Sequence, residues 1–491
     1  MSHIDGSFDR RDFLKTSALA SLGAATTFNP GNISAQQTRE RPFVTGRKDK
    51  KLVGCYCSTK EILEQPKYMD ALQKELGVNV VICRSSIKMP QWLKDMSPFN
   101  SNVWMGMSPA KDDDDSPLLK AIDEVHRRGM DFWLYYSGIH YGTKSRELCA
   151  ETFEGIPFSE IPHTKYAYCH DPNLTAVCVN KPSVVDWHRT VYQYGAKNYD
   201  VDAIKVTHFR YANPAFFANL FGCACEDCQD VAYNMGYDFP AMKKACQSLR
   251  HGLMNIDKAK VQHAANRGFT FSDFIQLMAD DRGVIDWLYF RAASIGNRLR
   301  EIHDSVHQAT ADRAQFISDT HHPTHSLYIG HNYADLMNGG SDGLMPLAWL
   351  GAQYLSAVAA WANILVTRCQ GLDEETAITA VLKFFGWDEL NIPRKKITDL
   401  HIGVNRLDHI KNYRDTFYEH FNKSGLTLDL MTHEMEHLAM LNTKGIPSFP
   451  IIKGDSWTKE ISLELMDRCM DMGHTGYVIQ RTNQFIDKSK L

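Results

Sequence analysis

From Leu52 onward, short apolar runs alternate with longer stretches of helical spacing. An apolar run too short for a helix reads as a buried strand. Leu52 to Cys57 is the first such run, and Val78 to Cys83 the second. Pro66 to Leu76 between them has helical spacing and stops at Gly77. Ser116-Pro117 opens another helix that stops at Arg127-Arg128-Gly129, and Asp131 to Tyr136 is the third strand. The helix Pro182 to Asn198 and the strand Asp202 to Thr207 follow a long loop. Phe271 to Ala309 is expected to be helical with a break at Gly283, and Ala314 to Asp319 is the fifth strand. Asp342 to Leu347 is a weaker sixth strand, and helical segments fill 351 to 443. Pro447 to Lys453 is the seventh strand, Trp457 to Met472 a helix ended by Gly473, and Thr475 to Gln480 the eighth strand.

Eight short strands, mostly separated by helices, predict an α/β fold of the closed (β/α)8 TIM-barrel type. It carries a long insertion, 209 to 270, after the fourth strand and extra helices before the seventh. The rival is an open doubly wound sheet. No Gly-rich dinucleotide turn follows the first strand and no GxxxxGK[ST] loop is present. That absence favours the barrel.

The 491 residues suffice for one elaborate barrel or for two to three smaller domains. Residues 51 to 491 are assigned here to one barrel domain. The net charge of -4 argues against a nucleic-acid partner. Asp9-Arg10-Arg11-Asp12-Phe13-Leu14-Lys15 resembles the twin-arginine export motif, with Asp9 where Ser or Thr is usual. A small, mildly apolar run follows to Phe28, and Ala35 offers a cleavage point. Residues 1 to 35 are therefore read as a removed signal and 36 to 50 as a linker. The expectation is a periplasmic or secreted protein, a partner of the twin-arginine export machinery, with no membrane span after signal removal.

Two strand regions resemble those of glycoside-hydrolase-like TIM barrels. One is Val201-Asp202-Ala203-Ile204 through Phe209-Arg210-Tyr211, similar to their fourth strand. The other is Arg127-Arg128-Gly129-Met130-Asp131-Phe132-Trp133-Leu134-Tyr135-Tyr136, similar to their third. Cys223-Ala224-Cys225-Glu226-Asp227-Cys228 is similar to a cysteine-containing insertion in some poorly characterised members. The resemblance implies a carbohydrate substrate. It also implies an Asp three residues before the fourth-strand Arg, where this chain has Thr207. A hydroxyl cannot replace a carboxylate in two-carboxylate glycoside hydrolysis.

Either the carboxylates come from other strand ends, or the protein does different chemistry, or it only binds. Asp319, at the end of the fifth strand, is the first candidate, and its bland role is a helix cap. Asp455 and Glu226 are candidates for the second, Asp455 also reading as a helix cap and Glu226 as a solvated loop charge. Arg84, Tyr136, His140, Thr207, His208, Arg210 and Arg481 would line the same rim, with His321 and His322 after the fifth strand and Trp457 as a stacking face. Arginine forks suit a carboxylate or sulfate, which hints at an acidic sugar, or simply pair with structural acids.

No cofactor is expected, with a divalent metal such as zinc as the alternative. The histidines after Asp319 could bind one. Cys223, Cys225 and Cys228 give C-x-C-x2-C, three ligands where a zinc site needs four, with Cys246 or a nearby His as the completing ligand. A disulfide or plain packing is the alternative there. Of the twelve cysteines, those alone in apolar runs (Cys83, Cys178, Cys369) are expected to be core fillers. His433-Glu434-Met435-Glu436-His437 matches H-E-x-x-H, but on a helix expected in the outer ring, away from the active face.

The sequence reading is thus an exported glycoside hydrolase working by carboxylate acid/base catalysis. Its alternatives are a metal-dependent sugar isomerase, epimerase or lyase, and a carbohydrate-binding barrel without catalysis.

Overall fold

A computed structural model describes residues 51–99, 107–138, 145–160, 177–211, 220–270, 272–273, 275–276, 281–347, 352–390, 392, 426–453 and 458–490. The expected signal and linker lie outside these residues, as do His140, Asp455 and Trp457. No helix among the described residues is long and apolar enough to cross a membrane.

Eight parallel strands form one sheet: β1 (Leu52–Ser58), β2 (Val80–Arg84), β3 (Asp131–Ser137), β4 (Ala203–Thr207), β5 (Gln315–Thr320), β6 (Leu344–Pro346), β7 (Ile451–Lys453) and β8 (Gly476–Gln480). Their order is β6-β5-β4-β3-β2-β1-β8-β7, so the sheet curls until its two ends meet. Closure rests on Leu344, whose N–H donates to Pro447 O at 2.8 Å and whose carbonyl accepts from Phe449 N at 2.9 Å. The expected (β/α)8 barrel is what the chain forms. The sixth and seventh strands are shorter than expected, at three residues each.

Alternation along each strand separates an inner from an outer face. Leu52, Val80, Trp133, Ala203, Ile317 and Val478 form one buried cluster inside the cylinder. Cys55, Val81, Phe132, Ile204 and Phe316 face the helices and belong to a second, larger one. Gly476 permits the contact between β8 and β1, because a Cβ there would lie 1.9 Å from Leu52 O.

The helix Pro66–Leu76 has Pro66 at its start and Gly77 at φ 68° past its end, the terminal pair that favours both boundaries. The insertion after β4 folds into helices Glu226–Asn234, Phe239–Met254 and Lys258–Arg267. The expected break near Gly283 is present: residues 272–273 and 275–276 are helical, and a second helix runs from Gly283 to Thr310 and packs on Pro182–Asn198. At the base of β5, Asp342 accepts from Phe316 N at 2.7 Å, and its carboxylate meets His303 Nε2 at 3.3 Å and His307 Nε2 at 2.8 Å.

Candidate active site at the barrel mouth

At the C-terminal ends of the strands the inner positions become polar. In β4 these are Lys205 and Thr207, and in β5 Asp319. The parallel register Val206↔Ser318 sets the two strand ends side by side. Asp319 Oδ2 accepts from Lys205 Nζ at 3.1 Å and from the Thr207 hydroxyl. Asp319 Oδ1 accepts from His208 N at 3.1 Å, with His208 turned to φ 57°. Only 1 % of Asp319 is exposed, so burial raises its pKa while the Lys205 and Arg210 charges oppose the rise. Thr207 therefore does not act as the carboxylate here; it holds one that comes from the next strand.

Lys205 was not singled out in the sequence, although it shares a face with Thr207 two positions on. A fully buried lysine needs a partner, and its presence in an otherwise apolar strand was the available signal. Its ammonium lies 4.6 Å from the Tyr135 ring centroid and 5.6 Å from that of Tyr56. The two rings meet edge to face at 5.3 Å. Burial, first of all, pushes the Tyr135 hydroxyl up to about 12. The mouth thus combines a carboxylate, a cation and two aromatic rings.

Behind Asp319 lies a layer of buried imidazoles. His331 Nδ1 accepts from His321 N at 3.0 Å, so its Nε2 carries the proton donated to Phe209 O at 3.1 Å. His322 Nδ1 lies 3.2 Å from Glu434 Oε2, and its Nε2 lies 3.1 Å from His325 Nδ1. Desolvation lowers all four, His321 and His322 strongly, His325 to about 4 and His331 to about 3. Burial thus favours the neutral imidazole at each. His321, His322 and His325 each offer a ring nitrogen to a group within 4.8 Å of one another.

Glu434 belongs to the H-E-x-x-H match. The helix Leu426–Leu441 turns it inward, contrary to the expectation that the motif lies away from the active face. Besides His322, its carboxylate accepts from Thr324 N at 3.1 Å, Thr324 Oγ1 at 2.5 Å and Trp387 Nε1 at 3.1 Å. These contacts clamp the segment after β5. His433 and His437 are not among the metal-capable clusters of the described residues.

The other expected rim residues disperse. Arg84 is exposed at the end of β2, where it lines a 310 Å³ cleft with Thr59, Ser85, Ser86 and Asp115. Arg210 is buried beside the histidine layer. Arg481 is exposed at φ 66° just past β8. Tyr136 does not reach the rim. It points outward into the layer under the helices, 6.4 Å from Tyr192, because Tyr135 takes the inner position. Glu226 is exposed in the first turn of its helix and does not touch Asp319.

Cys223, Cys225 and Cys228 are joined by Cys178, not by Cys246. Cys178 Sγ lies 3.5 Å from both Cys225 Sγ and Cys228 Sγ. Cys178 is buried in the core, as expected, and it also meets the three insertion cysteines because the segment before Pro182 folds against the insertion. No local spacing carries that signal.

No family model matches the chain, and no curated protein matches its sequence. Among solved structures, the PgaB (BpsB) glycoside hydrolase domain from Bordetella bronchiseptica aligns with 90 % of this chain and 97 % of its own, at 8 % identity and a TM-score of 0.43. The catalytic domain of a β-amylase from Paenibacillus polymyxa aligns with 89 % of this chain and 94 % of its own, at 9 % identity and a TM-score of 0.42. The chain is similar to glycoside-hydrolase barrels. At these identities the likeness concerns the path of the chain, and any argument about chemistry rests on the residues at the mouth.

Proposed function

We propose that the protein is an exported carbohydrate-active hydrolase that cleaves a glycoside or oligosaccharide, with Asp319 as one of its two carboxylates. One observation carries this reading: a nearly inaccessible carboxylate at the end of β5, fixed by Lys205, Thr207 and the His208 amide, next to the Tyr56–Tyr135 pair. A carboxyl group raised by burial can donate a proton, and a neighbouring cation steadies it once ionised. Asp455, two residues past the end of β7, is the proposed partner from its place in the chain. Arg84, exposed at the end of β2, favours a substrate bearing a carboxylate or sulfate.

The test is a panel of neutral, uronic and sulfated glycosides, assayed with and without chelator. The expected result is turnover on at least one class, unaffected by chelator, with Asp319→Asn lowering kcat/KM by about a thousandfold or more. Turnover retained in that variant would exclude Asp319.

A second reading, a metal-dependent sugar isomerase or lyase, is favoured by the closeness of His321, His322 and His325. It is weakened by His322, which spends both ring nitrogens on protein partners. Activity abolished by chelator and by His321→Ala would decide for it.

A further inference from the structure

We propose that Cys178, Cys223, Cys225 and Cys228 form a closed tetrathiolate site for a single zinc ion, tying the insertion after β4 to the segment between β3 and the Pro182 helix. All four are buried, and their sulfurs lie within 4.8 Å of one another. The 3.5 Å separations from Cys178 fit sulfurs at the corners of a tetrahedron, since Zn–S bonds of about 2.3 Å put them about 3.8 Å apart. A disulfide brings two sulfurs to about 2.05 Å and leaves the other pair unconstrained, so one compact foursome is the wrong shape for it.

The surroundings suit thiolates. Glu151 N donates to Cys223 Sγ at 3.3 Å, Asn180 N to Cys178 Sγ at 3.4 Å and Asn180 Nδ2 to Cys228 Sγ at 3.4 Å. Such donors orient and stabilise thiolate ligands of a metal. Cys225 occupies the position just before the helix Glu226–Asn234, where the helix dipole favours negative charge. Lys181 adds a cation beside the cluster, paired with Asp227 at 2.6 Å. Four protein ligands and no solvent access leave no open position, which marks a structural rather than a catalytic site. The site stands whichever reaction the barrel mouth performs.

The full chain, purified without added metal, should contain one equivalent of zinc by elemental analysis. Cys178→Ser and Cys228→Ser should lose it, and Cys246→Ser and His321→Ala should keep it. Because the ligand variants can also fail to fold, a second measurement uses the wild type. Titration with a mercurial should release one equivalent of zinc to a chromophoric chelator, and the cobalt-substituted protein should show a tetrathiolate spectrum. Metal-free protein with four free thiols, disulfides among these cysteines, iron in place of zinc, or zinc that follows His321 would each overturn the assignment.

Discussion

Lys205 Nζ lies 3.1 Å from Asp319 Oδ2, and the two side chains are 0 % and 1 % exposed. Removing one partner of a buried ion pair costs about 3 to 5 kcal/mol, because the other charge stays behind in the dry interior. Lys205→Met and Asp319→Asn should each lower thermal stability by that order. The double variant should recover most of it, since no lone charge remains, while activity stays lost. Chemical denaturation of the four proteins gives the cycle, and additive losses would mean that the two groups are not coupled.

Glu434→Ala should unfold the segment after β5 without changing metal content. It strands donors from His322, Thr324 and Trp387, and each buried unsatisfied group costs about 1 to 3 kcal/mol. His433→Ala and His437→Ala should be mild by comparison. The melting temperatures of the three variants, with elemental analysis, check this; zinc lost with either histidine would show that the H-E-x-x-H pair holds a metal.

Stability should peak near neutral pH and fall on both sides. His303 and His307 are raised above their ordinary value, chiefly by Asp342, against the opposing effect of burial. Their contribution is complete below the unfolded value of about 6.5 and is lost as pH rises through the raised values. His188, His325 and His474, buried and pushed down to about 4, act in the opposite sense. Their contribution is present above about 6.5 and is lost as pH falls toward 4. Melting temperatures across this range are the measurement. Asp342→Asn should flatten the alkaline limb and leave the acid limb in place.

Gly476→Ala should prevent normal closure between β8 and β1. The added methyl would meet the Leu52 carbonyl at 1.9 Å, backbone that cannot step aside without moving the strand. A loss of several kcal/mol is expected, at or beyond the upper end of the ~1 to 3 kcal/mol usual for overpacking. Gly77→Ala, at φ 68° on an open turn with nothing within 4 Å, should be milder, costing backbone strain alone. Paired denaturation curves distinguish the two.

The strand pattern was legible because each strand is buried on both faces and reads as a compact apolar run. β6 and β7 came out short because their ends are set by the seam at Leu344, a contact between residues far apart in the chain. Asp319 could be named from its place at a strand end. Counting in twos from Thr207 and Trp133 reaches Lys205 and Tyr135, and that parity places Tyr135, not the adjacent Tyr136, on the inner face. Cys178 and the inward turn of Glu434 were not readable. Each acquires its partners only when distant segments pack, and no spacing in one stretch encodes that meeting.

The seam between β6 and β7 has a consequence for solubility. A sheet that ended there would present two unpaired edges, and such edges recruit strands from other molecules. Both edge strands are only three residues long, and Leu344 joins them through one donor and one acceptor. Opening the seam would therefore break few bonds, yet expose too short a ladder to template aggregation. The barrel places its easiest point of rupture where rupture invites the fewest foreign strands.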